Sequence, residues 1–210
     1  MGETILFIGD SITDCGRGGD PLGLGGGYVD VVASRLRGRG DDATVLNTGI
    51  SGNRIAHLQE RWQADALDRA PSVLSVYIGV NDTLVAFFEG RATPAELFEE
   101  RYTDVLDRAV AAGVPRIMLV EPFYLDTESP AAPWQRGNAF ARADLDAKRP
   151  IVRALAERFG AVFVPLQDAI DAAAVERSPG VVAPDGVHPS AFGHRLIAGR
   201  WLDAYDAPGR

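Results

Sequence analysis

Short apolar runs alternate along this chain with longer stretches in which apolar residues recur at helical spacing. The runs near 4–8, 43–47, 73–79, 116–121 and 161–164 are rich in Val, Ile and Leu, as strands buried on both faces should be. Between them the pattern predicts helices at about 28–38, 54–69, 93–112, 166–176 and 190–205. The 93–112 segment carries the clearest signals. Thr93 and Glu96 form a capping box, Pro94 takes the first helical position, and Gly113 follows the end. Its Leu97, Phe98, Val105, Leu106, Ala109 and Val110 can share one buried stripe. The stretch 138–159 is interrupted by Pro150 and reads either as a kinked helix or as two pieces ending before Gly160. Strand alternating with helix calls for an α/β fold, a parallel sheet covered on both faces. No repeat or linker divides the chain, which predicts a single domain over 1–210. Right-handed crossovers make such a sheet doubly wound, and its ligands bind beyond the carboxyl ends of the strands.

The residues just after each strand are therefore the ones that matter. The first strand runs into Gly9-Asp10-Ser11, which sets Ser11 at the carboxyl edge either as a nucleophile or as a helix cap. The second runs into Asn47-Thr48-Gly49-Ile50-Ser51-Gly52-Asn53-Arg54, either a plain connection or a turn whose backbone N–H groups face an anion. The third ends in Gly79-Val80-Asn81-Asp82-Thr83. Asn81 there can donate to an oxyanion, and Asp82 reads as a loop or capping residue. Near the C-terminus, Asp185-Gly186-Val187-His188-Pro189 puts a carboxylate three residues before an imidazole, close enough to accept its Nδ1 proton and leave Nε2 as a base. His57 and His194 fall inside predicted amphipathic helices and read as structural. The G-x-S-x-G elbow of ordinary α/β-hydrolases is absent.

Composition narrows this picture. The 210 residues suffice for a core without a disulfide or metal. A net charge of −8 with no Lys/Arg cluster argues against nucleic acid or an anionic membrane as partner. No run of about 18 apolar residues is present to span a bilayer. The start of the chain lacks a signal-peptide pattern, which predicts a cytoplasmic protein unless a leader has been removed. Cys15 is the only cysteine, and no metal or other cofactor is called for. Lys148 is the only lysine and sits in the charged stretch 144–149, which reads as a solvated helix face.

Rival chemistries fit less well. Cys15 could be a thiolate nucleophile but has no better claim on His188 than Ser11 has. Asp10 as a phosphatase nucleophile lacks the second acid two residues on, where Ile12 stands. The glycine-rich segment 16–27 matches neither phosphate-binding register and reads as a mobile loop at the rim of a site. A binding module would explain the sheet but not the Asp185/His188 pair.

Together, Gly9-Asp10-Ser11, Gly52, Gly79-x-Asn81-Asp82 and Asp185-x-x-His188 resemble the SGNH hydrolases, the group that contains the GDSL esterases and lipases, with Ile12 in place of the leucine of that name. The resemblance implies a flavodoxin-like three-layer α/β/α sandwich with a five-stranded parallel sheet. It implies Ser11 as nucleophile, His188 as general base and acid, Asp185 as the orienter, and an oxyanion hole from the Ser11 and Gly52 N–H groups and the Asn81 side chain. The expected activity is hydrolysis of a small-molecule ester, an acetyl ester of a sugar or other small alcohol above all. Thioesters, lysophospholipids and acyl transfer are the alternatives. Phe87, Phe88, Phe123, Tyr124 and Trp134 follow strands three and four and are candidates either for an acyl or alcohol pocket or for the core.

Overall fold

The computed structural model describes residues 2–127, 129 and 132–207, the side chains of 136–138 excepted. Five strands, β1 (Thr4–Gly9), β2 (Thr44–Asn47), β3 (Val73–Tyr77), β4 (Arg116–Val120) and β5 (Val162–Val164), form one parallel sheet in the order β2-β1-β3-β4-β5. The order reverses between β1 and β3. In a doubly wound sheet that switch point is where a ligand sits.

Alternation along each strand sends neighbouring residues to opposite faces. Ile5, Phe7, Val73, Met118 and Val120 pack one way, under α2 (Tyr28–Gly38), α8 (Gln167–Arg177) and α10 (Ala191–Asp206). Leu6, Ile8, Leu74, Val76 and Leu119 pack the other way, under α3 (Ile55–Asp65), α6 (Ala95–Ala111) and α7 (Asn138–Phe159). Short helices α1 (Ser11–Asp14), α4 (Val80–Leu84), α5 (Ala86–Glu89) and α9 (Pro179–Val182) follow strands or bridge longer helices. Each is under two turns, too short for a periodic signal in the sequence.

Four local expectations are corrected. The predicted 54–69 helix is α3 followed by a separate 3₁₀ turn, Leu67–Arg69. Thr93 does not cap α6: its N–H goes to Asp82 O at 2.7 Å. Pro94 is itself the N-cap of α6, at φ −56° and ψ 146°. The α6 stripe is Phe98, Tyr102, Val105, Leu106 and Ala109, whereas Leu97 is half-buried and Val110 is 51% exposed. Pro150 lies within one helix, α7, so the two-piece alternative falls.

Lys148 is the largest departure. It is fully buried, its ammonium pairs with Asp144 one turn earlier on α7, and Asp144 Oδ2 also accepts from Thr83 Oγ1 of α4 at 2.6 Å. The 144/148 side of α7 faces α4, not solvent.

Candidate active site

Asp10, directly after β1, is the N-cap of α1, and its Oδ1 accepts from Ile12 N at 3.0 Å. Ser11 is therefore the first helical residue and not the cap. A Cβ on Gly9 would lie 2.3 Å from Tyr77 O and 2.4 Å from Thr13 Oγ1, so only glycine lets the ends of β1 and β3 approach this closely.

The turn after β2 is stitched to the same place. Asn47 Nδ2 donates to Thr13 O (2.6 Å) and Leu24 O (2.7 Å), while its Oδ1 accepts from Gly49 N (2.8 Å). Arg61 of α3 donates to Gly9 O (3.1 Å), Thr48 O (2.7 Å) and Asn53 Oδ1 (2.8 Å), joining the ends of both strands. Gly52 occupies the left-handed region at φ +80°. Ser51 N donates to Asp14 Oδ2 and Asn53 N to Ile50 O. Gly52 N–H and Ser11 N–H take no hydrogen-bond partner among the described residues. Asn81, on α4 past β3, gives one amide proton to Asn53 O at 3.0 Å and keeps the other.

The last piece is the turn before α10. Asp185 Oδ1 accepts from Val187 N (3.0 Å) and His188 N (2.7 Å), and its Oδ2 lies 2.7 Å from His188 Nδ1. His188 Nε2 lies 3.0 Å from Ser11 Oγ, 177 residues away in sequence. With Nδ1–H donated to the carboxylate, Nε2 is left as the acceptor facing the hydroxyl. This turn is held from behind by side chains. Trp134 Nε1 (2.7 Å) and Gln135 Nε2 (2.8 Å) both donate to Asp185 O, and Gln135 also bonds Leu125 O and Thr127 N. Gly186 sits at φ +86°, and a Cβ there would fall 2.1 Å from Gln135 Nε2.

Residues 7–196 match the GDSL-like Lipase/Acylhydrolase family. The chain belongs to this family. It is accordingly a carboxylic ester hydrolase. It is similar to the acetylxylan esterase of Geobacillus stearothermophilus, at 32% identity over 96% of this chain and 93% of that protein. The crystal structure of an acetylxylan esterase from that organism superposes with a TM-score of 0.85 at 31% identity, covering 99% of this chain and 95% of the other. An alpha/beta hydrolase enzyme from the metagenome of Lake Arreo, Spain, also gives 0.85, at 30% identity over 97% and 94% of the two chains.

Electrostatics in this GDSL-family site favour an imidazole that holds its proton well. The Asp185 hydrogen bond raises the His188 pKa above 6.5, outweighing the burial that lowers it. Burial pushes the Asp185 carboxyl up, but the bonds from His188 and the two backbone N–H groups outweigh it and leave the pKa below the ordinary value. Asp10 is fully buried, which pushes its carboxyl up to about 7 against the Ile12 N–H and the field of His188. Burial likewise pushes Asp82 up to about 6, and its Oδ2 accepts from Ile55 N at 3.0 Å, capping α3 from α4.

The remaining candidates are placed as follows. His57 Nδ1 accepts from Arg54 N at the start of α3. His194 is buried, accepts from Tyr28 N, and is driven down to about 4 by desolvation. Cys15 Sγ lies 3.5 Å from His194 Nε2, and burial raises its pKa, the wrong direction for a thiolate nucleophile. The glycine-rich segment is closed upon itself, with Asp20 Oδ2 accepting from Leu24 N (2.8 Å) and Gly25 N (3.0 Å). Phe123 and Tyr124 are core residues, Phe88 is 68% exposed, and Trp134 stands edge-on to His188 at 6.3 Å between ring centres. Arg61 and Gln135 escaped the sequence reading because their partners are backbone carbonyls far along the chain. Among the described residues no three His, Cys, Asp or Glu gather as metal ligands, and no helix is long and apolar enough to cross a membrane.

Proposed function

We propose that this enzyme hydrolyses short acyl esters, acetyl esters above all, of a sugar or other small alcohol through an acyl-serine intermediate, with Ser11, His188 and Asp185 as its triad. The observation that carries the reading is the unbroken relay from Ser11 Oγ through His188 to Asp185, at 3.0 and 2.7 Å. Ser11 Oγ attacks the ester carbonyl while His188 Nε2 takes its proton. The imidazolium, steadied by Asp185, returns that proton to the departing alcohol oxygen. Water then attacks the acyl-serine, giving its proton to His188, and the acid leaves as Ser11 regains its hydroxyl hydrogen.

The negative oxygen of each tetrahedral intermediate is assigned to the N–H groups of Ser11 and Gly52 and the second amide proton of Asn81. The uncommitted state of those donors supports this assignment. The acetyl preference rests on the similarity to an acetylxylan esterase. A decisive test is p-nitrophenyl acetate turnover by the Ser11→Ala variant, checked for folding by circular dichroism. Loss of turnover with an intact spectrum is expected, and retained turnover refutes the triad. A series of p-nitrophenyl esters should show activity falling steeply beyond short chains. A maximum at long chains would refute the acetyl preference.

A further inference from the structure

A cavity of about 390 Å³ opens between the start of α3, the end of α5 and the start of α6. That volume falls among small-molecule sites. One wall begins at Arg54, two residues past Gly52, and another at Val85, four residues past Asn81. Asn81 Nδ2 donates to Asn53 O at 3.0 Å, next to Arg54, and Val85 N donates to Asn81 O at 3.0 Å, so the cavity borders the Asn81 segment, although none of the residues given a chemical role lines it.

Its charge runs against that of the protein. In a chain of net charge −8, the walls gather Arg54, Arg91 and Arg101 against Glu60 and Glu89, with the His57 ring beside them. Glu89 is engaged by Arg54, with Oε2 3.3 Å from Nη1. Arg91 and Arg101 have no ion-pair partner among the described residues. His57 uses Nδ1 to accept the Arg54 N–H at 3.0 Å, so a neutral ring carries its proton on Nε2 and offers only a donor there. Two uncommitted guanidiniums beside a donor imidazole suit a planar carboxylate.

We propose that this cavity is an alcohol-side subsite for esters that bear a carboxylate, namely acetylated saccharides containing a uronate, with Arg91 and Arg101 receiving the acid group. The proposal rests on the esterase reading above. Because the contact lies away from the reacting carbonyl and is equal in ground and transition states, it acts on KM and leaves kcat alone.

The test compares monoacetylated methyl glucuronoside with monoacetylated methyl glucoside, which differ only in the carboxylate, and uses p-nitrophenyl acetate as the neutral control. At low salt the acid should be favoured by roughly tenfold in kcat/KM through KM, and about 0.3 M NaCl should compress the ratio. Arg91→Gln and Arg101→Gln should each reduce the acid's advantage by about threefold or more with kcat and p-nitrophenyl acetate turnover unchanged. Glu60→Gln should increase it. Equal kcat/KM for acid and neutral saccharide in the unmodified enzyme, or equal losses on both in the arginine variants, overturns the proposal. Calorimetry of methyl glucuronoside with the Ser11→Ala protein tests the subsite without turnover. Binding that the Arg91→Gln/Arg101→Gln pair abolishes supports it, and no binding refutes it. Inactivity of the unmodified enzyme on p-nitrophenyl acetate would instead strike at the esterase reading.

Discussion

Replacing Lys148 by Met keeps a long, unbranched side chain in the interior but removes the only cation that neutralises Asp144 among the described residues. Lys148 is fully buried and the Asp144 side chain is 22% exposed. Removing one partner of a buried ion pair costs ~3–5 kcal/mol because the other charge is stranded. Asp144 retains the Thr83 hydroxyl bond at 2.6 Å and some access to water, which puts the loss at the lower end. A loss of roughly 3 kcal/mol in a protein of this size lowers Tm by about 6–12 °C. The double variant Asp144→Asn/Lys148→Met removes both charges, while the amide oxygen that replaces the carboxylate can still accept from Thr83. Since well-packed neutral replacements of buried pairs are often close to isoenergetic, it should recover most of the lost stability. Differential scanning calorimetry of the three proteins is the assay. A Tm drop under about 1 °C for Lys148→Met, or a double variant no more stable than the single one, would refute the reasoning.

Asn81→Ala should lower p-nitrophenyl acetate kcat by roughly 100- to 1000-fold, the worth of one oxyanion donor, and a near-normal rate would remove Asn81 from that role. The base must be neutral, so kcat/KM should rise with pH through a midpoint above 6.5, the direction in which the Asp185 bond shifts His188. A midpoint at or below 6.5 would contradict it. Asp10→Asn keeps an oxygen for the Ile12 N–H but removes a negative charge that helps to raise the His188 pKa, and the rising limb should move to lower pH. An unmoved limb would show that the Asp10 charge does not act on His188. The same variant bears on stability. A carboxyl raised to about 7 in the fold and near 3.8 unfolded loses protons on unfolding, so the native protein is weakened as pH rises through that window. Asp10→Asn should flatten this decline in urea titrations at about pH 5 and pH 8, and an unchanged slope would count against it.

The sheet was legible in the sequence because its central strands β1, β3 and β4 are buried on both faces, and the runs of β1, β2 and β3 lead into glycine and polar residues that mark their carboxyl ends. Ser11, Gly52 and Asn81 stand in the turns after β1, β2 and β3 and Asp185 and His188 in the turn before α10, and it was their joint occurrence, not any one residue type, that marked them as candidates. What stayed hidden depends on partners remote in sequence. Lys148 lies in a charged helical stretch that fits a wet surface equally well, and nothing local announces Thr83, 65 residues earlier. The Thr93/Glu96 box is correct as a local pattern, yet the Thr93 N–H is claimed by Asp82 O and the helix starts beyond it. Arg61 and Gln135 hold the site together through main-chain carbonyls, which carry no residue-type signature.

The bonds from Trp134 and Gln135 to Asp185 O have a bearing on how this enzyme can be redesigned. Trp134 stands edge-on to His188, and the chain around it would be a natural place to graft a new binding surface. Yet Trp134 and Gln135 hold the backbone of Asp185, the carboxylate proposed for the triad, so changes there risk losing turnover to gain selectivity. The segment around 85–94 carries no such duty toward Asp185. Libraries aimed at new alcohols belong there.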